Sequence, residues 1–170
     1  EGAAELHAYS PYGLAYVNFD VDARELAGYE LVAFETLSLD GEALASHADL
    51  TDRDQTVSVV EIGTTLTSEE GAKEVLAASE TTLVDTVRYR GLVPDEVYEV
   101  VGTLVDKATG SEILVGGEAL VSRAQFVPET PDGTVEVSFS FDASVLAGRT
   151  VVAFESLLCD GHELAVHADL

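Results

Sequence analysis

The chain is short of cations. It carries 8 lysines and arginines against 32 aspartates and glutamates in 170 residues, a formal net charge of −24. That imbalance excludes an electrostatic nucleic-acid binder, which needs a basic face to displace counterions. It also argues against docking on anionic lipid. Cys159 is the single cysteine, so no intrachain disulfide can form and a disulfide-stapled small fold is excluded. Tryptophan and methionine are absent. No apolar run approaches the roughly 18 residues of a membrane helix, so no membrane insertion is expected in this segment. No basic-then-apolar leader opens the chain. Side-chain amides are scarce as well: Asn18 is the one asparagine, and Gln55 and Gln125 are the two glutamines. Apolar residues, at 46%, are plentiful enough for a folded globular protein rather than an acidic disordered tail.

The chain repeats itself. Val32-Ala33-Phe34-Glu35 returns as Val152-Ala153-Phe154-Glu155, 120 residues later. Residues 1–50 laid over 121–170 without a gap match at 23 of 50 positions, against about 3 or 4 from composition alone. The matches include Asp22-Ala23, Leu26-Ala27-Gly28, Asp40-Gly41, Leu44-Ala45 and His47-Ala48-Asp49-Leu50. A tandem array with a period of 120 residues, a normal domain size, is the expectation. In that frame residues 1–61 are the C-terminal half of one repeat. Residues 62–170 are the next repeat, lacking its last strand. The counterpart of Gln55 would fall at 175, so the chain reads as an excerpt of a longer array.

Strand signals dominate. Segments 16–22, 29–39, 55–61, 81–89, 97–106, 134–142 and 150–158 are rich in Val, Tyr, Phe and Thr, and several alternate. Turn chemistry lies between them, with Asp40-Gly41, Pro94-Asp95, Gly116-Gly117, Pro131-Asp132-Gly133 and Asp160-Gly161. Segment 69–79 has helical composition but also reads as a loop with one turn. Segments 22–26 and 142–146 read as short helical turns. Short strands between frequent turns predict an all-β chain of antiparallel β-sandwich repeats.

Side chains alternate faces along a strand, so parity identifies polar residues that point inward. Asp85 falls on the face of Leu83, Val87 and Tyr89. Thr64 falls with Ile62 and Leu66, whereas Thr65 falls with Gly63 and Thr67. Glu155 shares parity with Val151, Ala153 and Leu157, and Glu35 is its counterpart. Gln55 is expected inward with Val57 and Val59. Parity does not place His47 or His167, which lie near strand ends. An uncompensated buried carboxylate or amide costs several kcal/mol, so these groups are expected to meet one another. A buried hydrogen-bond network without chemistry and a reactive site with raised carboxyl pKa values both fit at this point.

Ile62-Gly63-Thr64-Thr65, Leu83-Val84-Asp85-Thr86, the run from Gly102 to Gly110, Val152-Ala153-Phe154-Glu155 and the run from His47 to Thr56 together resemble the VaFE repeats. These are also called Thr–Gln ester-bond domains and occur in surface adhesins and pilus-like stalks of Gram-positive bacteria. The resemblance covers nearly the whole chain. It implies immunoglobulin-like (CnaB-like) sandwiches on the bacterial cell surface, outside the cell and anchored to the wall through regions not in this chain. It implies that an inward Thr on the first strand attacks a Gln carboxamide on the last strand, that ammonia leaves, and that an intramolecular ester remains. Carried over by motif, Thr64 is the nucleophile, with Asp85, Glu155 and His167 around it; the first half-repeat supplies Glu35, His47 and Gln55. No repeat here holds the full set. Such chemistry turns over once per domain, so no enzyme is implied, and neither a cofactor nor a metal is called for.

Other readings are weaker. A Lys–Asn isopeptide bond lacks a partner pair: Asn18 lies in the first half-repeat, and Lys73 and Lys107 have no Asn in their own. A hydrolase would use Glu155, Asp85 and His167 on an external substrate, but no substrate cleft is indicated. Asp49, Asp52 and Asp54 resemble a calcium loop loosely, without the glycine its sharp turn needs, and read better as a solvated acidic turn. The remaining alternative is a β-sandwich binding module with a buried polar network and no cross-link, for a host ligand the sequence does not name. The partners implied are neighbouring repeats of the same protein. A second copy is a further partner, through strand exchange. Thr64 and Gln55 are nine residues apart but are not expected to bond within one chain, because parallel first and last strands need a crossover of a dozen or more residues.

Overall fold

Most of the alternating segments become strands, and all pairings are antiparallel. The structure is a computed structural model and describes residues 2–78 and 80–170. Its strands are β1 (Glu30–Val32), β2 (Glu35–Leu39), β3 (Glu42–His47), β4 (Thr56–Ser58), β5 (Glu61–Ser68), β6 (Thr81–Arg90) and β7 (Tyr98–Asp106). They continue as β8 (Ser111–Glu112), β9 (Leu114–Val115), β10 (Glu118–Ala119), β11 (Val121–Phe126), β12 (Gly133–Phe141), β13 (Val151–Cys159) and β14 (His162–His167).

From β5 onward the strands form two sheets. One has the order β12-β6-β5; the other runs β11-β7-β13-β14, with β8 also on β7. Leu83, Val87 and Tyr89 of β6, Val137, Phe139 and Phe141 of β12, Val100 and Leu104 of β7, and Leu157 of β13 form one buried cluster between the sheets. This is the all-β antiparallel sandwich expected from the alternation. Gly102 lets the layers approach at one point: a Cβ there would lie 2.8 Å from the Phe139 ring.

Residues before β5 fold differently. β1 pairs β4 and β2 pairs β3, as two separate two-stranded pieces. No residue before Val60 joins the buried cluster among the described residues. The strand expected at 16–22 is not formed, although its counterpart is β12. β12 forms because it pairs with β6; among the described residues 16–22 has no strand beside it. The expected strand at 55–61 is also corrected. Gln55 closes a 3-10 turn (Arg53–Gln55), β4 covers three residues, and β5 begins at Glu61. Val57, expected inward with Gln55, is 65% exposed, while Gln55 is half-buried. Segment 69–78 forms no helix, and Ser79 lies outside the described residues.

Local turn chemistry came out as read. Asp40-Gly41 and Asp160-Gly161 all have positive φ, as a two-residue type I′ hairpin demands. The helical turns appear as 3-10 turns at Ala23–Leu26 and Ala143–Leu146. The Asp142 carboxylate caps the second by accepting from the Ser144 backbone N–H at 3.0 Å.

Candidate functional site

β5 is one edge of its sheet and β14 is one edge of the other. Between them opens a cleft of about 700 Å3, lined by Thr64, Leu66, Lys73, Lys107, Arg149 and His167 among others. Register gathers the polar residues beside it: Thr64 and His167 line it, while Asp85 and Glu155 are not in its lining. Asp85 pairs with Leu66, so Thr64, two residues away, is its diagonal neighbour on the same face. Glu155 pairs with His167 across β13 and β14 and with Gly102 on its other side. Thr64 is half-buried and Thr65 exposed.

Both carboxyls are sealed in, with Asp85 0% and Glu155 1% exposed. None of their four oxygens has a well-formed hydrogen-bond partner among the described residues, nor does His167 Nδ1. Burial is the main reason Glu155 is pushed up to about 9; the neighbouring Asp85 raises it further and the Thr64 hydroxyl opposes the rise. Burial also raises Asp85, here opposed by Glu155, His167, Lys73 and the Thr65 backbone N–H. Two carboxyls this close and this dry do not both ionise near neutral pH, so one keeps a proton. A protonated carboxyl donates to an amide or a leaving nitrogen; a carboxylate or imidazole nearby takes a hydroxyl proton. The constellation suits acyl transfer from an amide to the Thr64 hydroxyl.

The fold thus gathers Thr64, Asp85, Glu155 and His167. It does not bring Glu35, His47 or Gln55 to them. Glu35 and His47 pair across the β2–β3 hairpin, in solvent, with His47 Nδ1 3.9 Å from Glu35 Oε2 and Nε2 3.1 Å from Asp52 Oδ2. Gln55 lies at the end of its 3-10 turn, its carbonyl accepting from the Ala33 N–H at 3.0 Å. Asp49 and Asp52 are spent on their own turn: Asp49 accepts from the Thr51 N–H and hydroxyl, and Asp52 from the Asp54 N–H. Sequence reasoning passed over Lys73 as a member of this site. Its Nζ donates to the Leu66 carbonyl at 2.7 Å, a contact that strand parity has no means of showing.

A family profile described as "TQ: T-Q ester bond containing domain" matches residues 2–59 and again residues 60–170. The chain belongs to the T-Q ester bond domain family. Solved structures of a bacterial adhesin from Mobiluncus mulieris containing intramolecular disulfide, isopeptide and ester bond cross-links are similar to it. Two crystal forms are 16% and 14% identical, with TM-scores of 0.49 and 0.44, over 66% of this chain and 50% of theirs. The chain spans half the length of those structures. No curated protein matches it. Among the described residues no helix is long and apolar enough to cross a membrane.

Proposed function

We propose that this chain is a structural repeat of a bacterial cell-surface adhesin or pilus-like stalk, stabilised by a self-formed Thr–Gln ester. The observation that carries the reading is the pair of orphaned buried carboxyls, Asp85 and Glu155, beside the half-buried Thr64 at the open edge of β5. In the reaction the Thr64 oxygen attacks the side-chain carboxamide carbon of a glutamine on an incoming last strand. The C–N bond breaks, a C–O ester bond forms, and the hydroxyl proton leaves with the nitrogen as ammonia. His167 is the base for the hydroxyl, and the protonated member of the carboxyl pair polarises the amide and protonates its nitrogen. A last strand over the cleft excludes water that would hydrolyse the ester. Each repeat reacts once, so the protein is its own substrate and not an enzyme. The ester would tie first strand to last and close a loop of about 110 residues, worth roughly 4–5 kcal/mol in the chain-entropy model. That suits an exported fibre with almost no cysteine, whose partners are its neighbouring repeats.

The test is intact mass of a chain extended through the counterpart of Gln55. The expected result is a mass lower by one ammonia for each completed repeat. Thr64→Ala restores the full mass and lowers the melting temperature, whereas Thr65→Ala does neither. Full mass in the unmodified extended chain overturns the reading.

A further inference from the structure

β1 and the opening of β13 are counterparts in the repeat, but their edges are used differently. On β1, Leu31 pairs with Val57 and Val32 with Thr56. Beside them the Ala33 N–H donates to the Gln55 carbonyl at 3.0 Å, and the Val59 N–H to the Tyr29 carbonyl at 2.9 Å. Tyr29, Leu31 and Ala33 are therefore the residues that turn their backbone groups toward β4. On β13 the counterparts of Leu31 and Ala33 are Val151 and Ala153. They stand opposite Asp106 and Leu104 of β7. Leu104 sends its N–H to the Leu120 carbonyl at 3.1 Å and its carbonyl takes the Ile113 N–H at 2.8 Å; the Asp106 carbonyl takes the Gly110 N–H at 2.8 Å. These are thus the non-hydrogen-bonded positions of the ladder, so Val151 and Ala153 present their backbone groups to the side away from β7. β14 pairs with β13 only from Glu155 onward, and among the described residues no strand meets them on that side. That side is the cleft, which Thr64, Val151, Ala153 and His167 line.

A strand that repeats the β1–β4 register on this edge puts its glutamine opposite Ala153 and its Val57 opposite Val151. Opposed residues of a ladder share a face, and Ala153 is buried on the face of Glu155. The glutamine side chain then points inward beside Glu155, with Thr64 on the facing wall of the cleft.

The chain's own Gln55 does not reach this place. β5 starts at the end of the sandwich where β13 stops: Glu61 pairs with Arg90, the Val93 N–H donates to the Tyr98 hydroxyl, and Tyr98 pairs with Cys159. A strand antiparallel to β13 therefore runs parallel to β5. Residues 55–59 laid there would run away from Glu61, with Val60 alone to lead back, where a parallel connection takes a dozen or more residues. A second copy has no such tether. Its β4 is three residues long, in a two-stranded piece outside the buried cluster. Charge matches as well: Asp49, Asp52 and Asp54 precede β4 with Arg53, and the cleft is lined by Lys73, Lys107 and Arg149 against Glu74 and Asp169.

We propose that the cleft takes residues 55–59 of a second copy of this chain, antiparallel on Val151 and Ala153, and that Thr64 joins Gln55 of that copy, linking chains head to tail. The joining step rests on the ester-forming reading. The Thr64 oxygen bonds to the Gln55 carboxamide carbon, the C–N bond breaks, and the hydroxyl proton leaves with the nitrogen as ammonia.

The experiment mixes two full-length variants, Thr64→Ala and Gln55→Ala, and reads denaturing gels with reductant and intact mass. Neither alone is expected to join. The mixture is expected to give one covalent dimer, its mass the sum of the two less one ammonia, and the unmodified chain a ladder. Ala153→Pro on the Thr64-bearing chain removes an N–H that faces the cleft while sparing the β7 ladder, and is expected to abolish the dimer. Val57→Asp on the Gln55-bearing chain alters a residue exposed before docking and is expected to abolish it too. No dimer from the mixture, a monomer that has itself lost ammonia, or a dimer that survives Val57→Asp overturns the inference. A chain extended through the counterpart of Gln55 is weighed in parallel: if it loses ammonia while the 170-residue chains stay separate, head-to-tail joining fails alone, and if it keeps full mass the ester reading fails with it.

Discussion

Residues 1–50 and 121–170 are the same at 23 of 50 aligned positions, but they do not fold into the same environment. Phe139 is 1% exposed and Leu157 0%; their counterparts Phe19 and Leu37 are both 48% exposed. The local devices nevertheless agree. Each segment has a 3-10 turn at the same offset, an Asp-Gly hairpin with positive φ, and a register shift after the same leucine, Leu37 or Leu157. Each pairs its glutamate with its histidine, Glu35 with His47 and Glu155 with His167. What differs is the layer beneath. β12 lies beside β6 and β13 beside β7, in two sheets that share one buried cluster, whereas 16–22 and β2 belong to neither sheet among the described residues. Short-range geometry follows from local sequence; burial, and with it the chemistry of a glutamate, follows from the facing sheet.

The comparison breaks most visibly at the aromatic position. Phe139→Ala is expected to cost about 3–5 kcal/mol, the range for a buried aromatic, with Phe19→Ala below about 1 kcal/mol. Chemical denaturation of the two variants checks this, and equal losses would show that residues 1–61 are packed in solution after all.

A second contrast is between the glutamates. Glu155 stands at about 9 in the folded chain against 4.5 ordinarily, so between those values the folded state binds more protons than the unfolded one. Stability is then greatest at the acid end of that window and falls as pH rises through it. Glu155→Gln is expected to flatten the slope and to raise stability by on the order of 2 kcal/mol at pH 8. Glu35→Gln should leave the slope intact. Melting temperatures from pH 5 to 9 decide it, and a slope that survives Glu155→Gln unchanged would place the burden on another group.

The smallest expected effect concerns the cap. Asp142→Ala removes the acceptor for the Ser144 N–H at a cost of about 1 kcal/mol. Asp52→Ala removes the corresponding acceptor for the Asp54 N–H, in a segment outside the core, and is expected to leave global unfolding unchanged. Hydrogen exchange at Ser144 and Asp54 separates local fraying from global loss.

Much of the site was legible because period-two alternation is a local rule. Asp85 on the face of Leu83 and Val87, Glu155 on the face of Ala153 and Leu157, and Thr64 rather than Thr65 facing inward all follow from parity alone, and the burial pattern of β5, β6 and β13 agrees. β11 and β14 were missed, because Val121–Phe126 and His162–His167 mix charge with apolar residues and are strands by pairing rather than by propensity. The strand expected at 16–22 failed for the converse reason: strong propensity with no sheet to join.

The sequence by itself determined the repeat, the all-β class, the hairpin turns and the inward parity of Thr64, Asp85 and Glu155, since each depends on residues a few positions apart. Tertiary structure alone decided that Asp85 and Glu155, 70 residues apart in the chain, share one dry space, that His167 rather than His47 faces it, and that Lys73 reaches back to its rim. Those outcomes depend on which strands pair and which sheet covers them, and a carboxyl's proton affinity is set by the groups and the water within a few ångströms of it, wherever in the chain they come from.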